Sequence, residues 1–186
     1  MNSGKSTALL QVAYNYEERG QTVLIVKPAV DTKAGSAIQS RLGVERVVDF
    51  TVSEEENLFD KFVNFSEKVN KKIDCLLIDE AQFLTREQVN EAFYIAVELK
   101  IPVLAYGIRG DFKSNAFTGS GRLLEISHSL EELKTICRCG RKAMFNARII
   151  NGSFVREGDT VAIDGQDAEY ESLCGSCYLN KVGKFK

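Results

Sequence analysis

Ser3-Gly4-Lys5-Ser6-Thr7 opens a run, residues 5–19, in which Leu9, Leu10, Ala13 and Tyr14 recur at helical spacing until Gly20 stops it. A Gly-Lys-Ser sequence at the start of a helix is the C-terminal half of a P-loop. Backbone N–H groups at such a helix end hold phosphate oxygens, and glycine lets the backbone come close. Lys5 would reach the β- and γ-phosphates of a nucleotide and Ser6 would ligate Mg²⁺. The competing reading is a coincidental Gly-Lys-Ser at an ordinary helix start. A P-loop normally follows a strand and opens with another glycine four residues before the Gly-Lys pair, whereas only Met1-Asn2-Ser3 precede Gly4. The pattern therefore reads as N-terminally truncated, without its first strand and first glycine. Because that strand usually lies in mid-sheet, two neighbouring edges are expected to stand open.

Working outward, Thr22-Val23-Leu24-Ile25-Val26 reads as a buried strand ended by Lys27-Pro28, and residues 31–45 read as a surface loop leading to a short strand at Val47-Val48. A helix is expected from about Ser53, its hydroxyl capping the run and Phe59, Phe62, Val63 and Val69 forming its buried face. Cys75-Leu76-Leu77-Ile78 is the clearest strand, and Asp79-Glu80 stands at its C-terminal end. Thr85 and Gln88 resemble a capping box for a helix that buries Val89, Ala92, Phe93, Ala96 and Val97. Residues 102–106 give a further strand. Strand and helix alternate, which predicts an α/β fold: a P-loop parallel sheet flanked by helices. Asp79 is placed to hold Mg²⁺ at the sheet edge where open α/β folds bind ligands, the alternative being a solvated strand end.

Past about residue 135 the texture changes to cysteines, glycines and short β-like runs. The boundary is drawn there, with a nucleotide-binding domain over 1–134 and a small zinc-binding lobe over 135–186. Cys137-Arg138-Cys139 and Cys174-Gly175-Ser176-Cys177 supply four thiolates suited to a closed tetrahedral Zn²⁺ site. A redox dithiol or unrelated buried thiols are the alternatives. The fifth cysteine, Cys75, reads as core packing.

Composition narrows the function classes. The formal net charge of −2 gives no basic field to hold a polyanion, so nucleic acid is not an expected partner. No apolar run reaches the ~18 residues that span a bilayer, and the N-terminus shows no signal-peptide pattern, so a cytoplasmic protein is expected.

Met1 to Thr7, Lys27-Pro28-Ala29, Ile78-Asp79-Glu80-Ala81-Gln82-Phe83, Tyr106-Gly107 with Asp111-Phe112, and Leu133 to Ala143 together resemble the cytosolic, zinc-containing type II thymidine kinases. The resemblance covers essentially the whole chain and implies transfer of the γ-phosphate of ATP to the 5′-hydroxyl of thymidine. It implies Glu80 as the general base and Asn2, Ser3, Gly4, Lys5, Ser6, Thr7, Asp79 and Gln82 as the ATP- and Mg²⁺-binding set. It further implies Met1, Phe83, Ile108, Phe112, Phe117 and Tyr170 around the nucleoside, though each of the aromatic residues could instead be core. Residues 145–170 match the family's lasso loop over the base. Cys137, Cys139, Cys174 and Cys177 would hold structural Zn²⁺. A homotetramer inhibited by thymidine triphosphate is implied too. Asp31-Thr32-Lys33 stands where many members carry arginine, so Lys33 is left out of the catalytic set. Arg41 reads as a solvated loop charge before a phosphate ligand, and His128 as surface. The rival readings are a non-catalytic P-loop nucleotide-binding protein and a fragment of an ATP-driven nucleic-acid motor. The latter would want a second motor domain and a basic track.

Overall fold

The structure is a computed structural model of the 186-residue chain, and it describes residues 3–29, 37–39, 43, 45–158 and 168–185. Met1, Asn2, Lys33 and Arg41 lie outside the described residues. The chain divides into two compact units. The first is Gly4–Gly107 with Thr118–Leu130, and the second is the described part of Met1–Ser3, Ile108–Phe117 and Glu131–Lys186.

In chain order the first unit runs α1 (Lys5–Glu17), β1 (Val23–Pro28), β2 (Ala37–Gln39), β3 (Glu45–Val47), β4 (Phe50–Val52), α2 (Leu58–Val69), β5 (Cys75–Ile78), α3 (Arg86–Glu98), β6 (Val103–Ala105) and α4 (Thr118–Ile126). Its sheet has the order β4-β1-β5-β6, with every pairing parallel. Successive side chains of a strand face opposite ways, so a strand covered on both sides must be apolar throughout. Leu24, Val26, Leu76 and Ile78 accordingly pack in one core with Leu58 and Phe62 of α2 and Val89, Ala92 and Ile95 of α3. Val23, Ile25, Cys75 and Leu77 pack in another with Leu9, Leu10 and Ala13 of α1. The expected parallel sheet flanked by helices is therefore present.

Four local expectations are corrected. The sheet has no gap at its centre, because β1 pairs directly with β5 and β5 with β6. Among the described residues its outer strands are β4 and β6, and β6 is the less covered, with Val103 and Leu104 half-buried and Ala105 exposed. The helix expected from Ser53 begins at Leu58 instead. Asn57 caps it by accepting from the Asp60 N–H at 2.8 Å. Ser53 to Glu56 form a turn of their own, in which the Glu56 carboxylate accepts from the Ser53 N–H at 2.8 Å. On α3 the buried stripe is Val89, Ala92 and Ile95, the i, i+3, i+6 set, while Val97 is exposed. The strand at Val47-Val48 is in fact β3 followed by β4, with Val47 exposed. The Thr85–Gln88 capping box is present in both directions.

The second unit contains β7 (Thr135–Ile136), β8 (Lys142–Ala143), β9 (Phe145–Ile150), β10 (Ser153–Val155), β11 (Ala168–Leu173) and α5 (Gly175–Lys181). β7 and β8 pair antiparallel, and a second antiparallel sheet has the order β10-β9-β11. Much of the stretch expected to be a lasso is thus a sheet. β9 and β10 are joined through Asn151-Gly152, both at positive φ (50° and 75°), the backbone a tight two-residue hairpin demands. Residues 156–158 follow β10 outside any strand, and 159–167 lie outside the described residues. The core of this unit is small: Cys137, Ala143, Ala147, Leu173, Cys174 and Tyr178, with Phe145 and Phe154 against them.

Candidate active site and metal centre

Parallel strands deliver their C-terminal ends to one edge of a sheet, and that edge of the first unit brings together Lys27, Asp79 and Glu80. Val26 of β1 is level with Ile78 of β5, and the Asp79 N–H donates to Val26 O at 2.9 Å, so Lys27 and Asp79 emerge side by side. Glu80 follows with φ 49°, a left-handed conformation uncommon for glutamate. This kink ends the strand and starts the 3₁₀ turn Ala81–Phe83. It turns the Glu80 carboxylate towards the start of α1, where Lys5 Nζ donates to Glu80 Oε1 at 2.9 Å. The Gln82 amide donates to the other carboxylate oxygen. Gly4 precedes α1 at φ 77°, which an L side chain would strain, and no side chain caps the helix. Its first N–H groups are the positive end of the helix dipole. Ser6 and Thr7 lie half-buried in its first turn, and Ser3 is half-buried ahead of it.

The two adjacent acids are pushed in opposite directions. Burial, and then the charge of Glu80, raise Asp79 above its ordinary carboxylate value, against the pull of Lys5, the Glu80 backbone and Lys27. Burial also pushes Glu80 up, but the Lys5 charge, the hydrogen bonds from Gln82 and Lys5, and the Lys27 charge together hold it below its ordinary value. Asp79 is 4 % exposed, and its buried Oδ1 has no hydrogen-bond partner. A buried acceptor left unmatched costs ~1–3 kcal/mol, so this oxygen is fitted to a cation. A hard oxygen ligand of this kind suits Mg²⁺, which usually takes only one or two carboxylates and fills its other positions with phosphate and water.

The expected nucleoside residues fall in both units. Phe83 ends the 3₁₀ turn of the first and is half-buried. Ile108, Phe112, Phe117 and Tyr170 belong to the second, where all but Phe112 are half-buried. Phe112 is almost wholly enclosed: the Arg148 guanidinium lies 3.8 Å from its ring centre, and Tyr178 OH donates to its carbonyl at 2.9 Å. Arg148 is itself buried in β9 and donates from Nε to Tyr170 OH at 2.8 Å. Arg148 and Lys27 went unrecognised in the sequence. Lys27 reads there as a strand terminus, although a lysine directly after Val23-Leu24-Ile25-Val26 was a signal of a buried charge. Arg148 alternates with apolar residues along its strand.

Cys137, Cys139, Cys174 and Cys177 come together in the second unit with their Sγ atoms all within 4.8 Å of one another, Cys139 and Cys174 at 3.5 Å. Four sulfurs about 2.3 Å from a tetrahedral Zn²⁺ would stand ~3.8 Å apart, so the cluster fits that ion. β7–β8 and the β11–α5 junction each supply one pair. Hydrogen bonds from the backbone at Cys139 and Cys174 draw the Cys137 thiol down to about 6, whereas shared contacts with Cys139, Cys174 and Cys137 push Cys177 up to about 12. Four crowded sulfurs cannot all ionise without a cation between them. Cys75 is buried with its thiol raised to about 11, chiefly by burial, as a packing residue should be. Among the described residues no helix is long and apolar enough to cross a membrane.

The sequence profile of the family described as Thymidine kinase matches residues 1–178. A thymidine kinase of Rhodopirellula baltica is 47 % identical over 177 residues, covering 94 % of this chain and 82 % of that protein. One from Haemophilus influenzae is 44 % identical across 99 % of this chain and 94 % of its own length. One from Idiomarina loihiensis is 47 % identical across 98 % and 94 % respectively.

Proposed function

The chain belongs to the thymidine kinase family, and from that premise we propose that it catalyses transfer of the γ-phosphoryl group of ATP to the 5′-hydroxyl of thymidine, giving thymidine monophosphate. The observation that carries the reading is the 2.9 Å contact of Lys5 with Glu80, beside the buried Asp79, at the C-terminal edge of a parallel sheet.

Phosphoryl transfer needs positioning and charge neutralisation more than covalent chemistry. In this proposal residues 2–7 bind the triphosphate, with Lys5 on its β- and γ-oxygens. Asp79 and Ser6 would hold Mg²⁺, and Gln82 fixes the Glu80 side chain. The metal's contribution is to offset charge on the phosphate oxygens. Glu80 accepts the proton of the 5′-hydroxyl as its oxygen attacks the γ-phosphorus, and the bond from that phosphorus to the β,γ-bridging oxygen breaks to release ADP. When the Lys5 ammonium turns to a phosphate oxygen, Glu80 loses the main charge that depresses it and becomes a stronger base. The two roles of Lys5 are thereby coupled.

Residues Met1, Phe83, Ile108, Phe112, Phe117 and Tyr170 are proposed to enclose the nucleoside, with the loop inside 145–170 closing over the base. The four cysteines are proposed to hold structural Zn²⁺ and fix the ends of that loop through β9 and β11. The first unit would serve as nucleotide-binding domain and the second as zinc lobe. A homotetrameric, cytoplasmic enzyme inhibited by thymidine triphosphate completes the proposal. Incubating the chain with Mg²⁺, γ-labelled ATP and each of the common nucleosides tests it. Label should pass to thymidine. Nucleotide binding without transfer would favour a non-catalytic protein instead, and ATP hydrolysis stimulated by nucleic acid would favour a motor.

A further inference from the structure

Lys27 stands at the acid-lined edge and has no task in the function proposed for it. It is 7 % exposed, an unusual burial for lysine, whose charge is almost never enclosed without a partner. It stands one step beyond the last β1–β5 pair, Val26 with Ile78, which sets it beside Asp79, and its charge acts on both Asp79 and Glu80. Yet among the described residues its ammonium makes no hydrogen bond or ion pair, while Glu80 is engaged by Lys5 and Gln82 and Asp79 Oδ1 stays unmatched. An ammonium that served only as the fixed counter-ion of Asp79 would close on that oxygen. Among the described residues the buried side-chain atoms without a partner include Asp79 Oδ1 but not Lys27 Nζ, so the lysine buries its stem while its ammonium stays within reach of an acceptor entering at this edge.

We propose that Lys27 is a further phosphate-binding residue of this site, one that takes an oxygen of the transferred γ-phosphoryl group. The charge balance favours a further cation even with Mg²⁺ counted, because a Mg²⁺-bound triphosphate still carries net negative charge. A triphosphate adds several negative charges beside two carboxylates, and Lys5 cannot both reach the β- and γ-oxygens and continue to screen Glu80. Lys27 approaches from β1, on the acid-pair side, and so supplies positive charge where the transferring group meets Asp79 and Glu80. The inference rests on the reading of this edge as an ATP site.

The test compares binding of ADP and of the non-hydrolysable β,γ-imido analogue of ATP, both with Mg²⁺, to the parent chain, Lys27→Met and Lys27→Gln. Replacing a buried ammonium by methionine is compatible with folding, which thermal denaturation checks. Lys27→Gln provides a polar substitute of smaller volume. The expected result is a loss of affinity for the triphosphate analogue of about 10- to 100-fold in both variants, with ADP affinity changed by less than about 3-fold and turnover lowered in parallel. A role confined to structure would weaken both nucleotides equally. Equal losses for the two nucleotides, or unchanged affinity for both, overturn the assignment of Lys27. A parent chain that binds neither nucleotide overturns instead the ATP reading on which the assignment rests.

Discussion

Gly119→Ala should damage both stability and turnover, although residue 119 carries no functional group. Gly119 stands in the first turn of α4, where a Cβ would meet Ala81 O at 2.5 Å, Leu84 O at 2.8 Å and Gln82 O at 3.0 Å. All three atoms are backbone of the turn that follows Glu80, so no side chain can swing aside. Reaching the 3.4 Å at which ordinary contact begins asks for a separation of 0.9 Å. Helix α4 cannot simply retreat, because Arg122 donates to Asn90 at 2.7 Å and Glu125 accepts from Arg86 at 2.7 Å, both on α3. Overpacking of this kind costs ~1–3 kcal/mol, and three carbonyl clashes set this site in the upper half of that range, so ~1–2 kcal/mol remains after ~1 kcal/mol of better helix propensity. With a shift of ~2–4 °C per kcal/mol for a chain of this size, Tm should fall by about 2–8 °C. The turn also holds Gln82 against Glu80, and a displacement near 1 Å at such a site costs on the order of 10²-fold in rate. Thermal scans and initial rates on the purified variant measure both effects. Tm and kcat both equal to those of the parent would refute the close packing of α4 on this turn as the feature that positions Glu80.

Asp79→Asn should raise Tm at neutral pH while abolishing turnover. The raised carboxyl of Asp79 binds its proton more tightly in the folded chain than in the unfolded one, so its destabilising effect grows as pH rises from the ordinary carboxylate value through the raised one. The asparagine lacks that effect, and its Tm advantage should shrink on acidification; an advantage that grew in acid would contradict the assigned direction. Cys174→Ser should lose bound zinc by metal analysis and lower Tm by on the order of 10 °C, whereas Cys75→Ala should retain one zinc per chain, and equal zinc content in both would count against the cluster. Arg148→Met removes the hydrogen bond to Tyr170 and the cation over Phe112. It should raise the KM for thymidine well beyond that for ATP, and an equal rise in both would show damage that is merely structural.

The meeting of the start of α1 with the acid pair was legible because these residues are tied to sequence position by backbone geometry. A glycine that must adopt φ 77° before a helix, and an acid pair directly after Cys75-Leu76-Leu77-Ile78, leave few alternative placements. The four cysteines were legible for a related reason, since their close pairing in sequence brings each pair to one point. Lys27 was not, because one lysine at a strand end has the same pattern whether it is solvated or enclosed; only the packing around β1 distinguishes the two. The cap at Asn57 was missed because Ser53 is an equally good cap four residues earlier, and only the Glu56 turn between them decides which one starts the helix. The hairpin at Asn151-Gly152 carried its own local signal, which the resemblance to a looped segment overrode. On α3, the bulk of Phe93 and Val97 masked the 3.6-residue period that places Ile95 inside; Phe93 instead packs beside His128, ring centres 5.2 Å apart.

The decisive measurement is thymidine monophosphate formation by Glu80→Gln set beside its affinity for Mg²⁺ and ATP. If the carboxylate that Lys5 contacts is the base for the acceptor hydroxyl, turnover falls by about 10²–10⁴-fold while nucleotide affinity stays within a few-fold of the parent or tightens. Transfer at the parental rate, or a loss explained entirely by weakened nucleotide binding, would contradict the account.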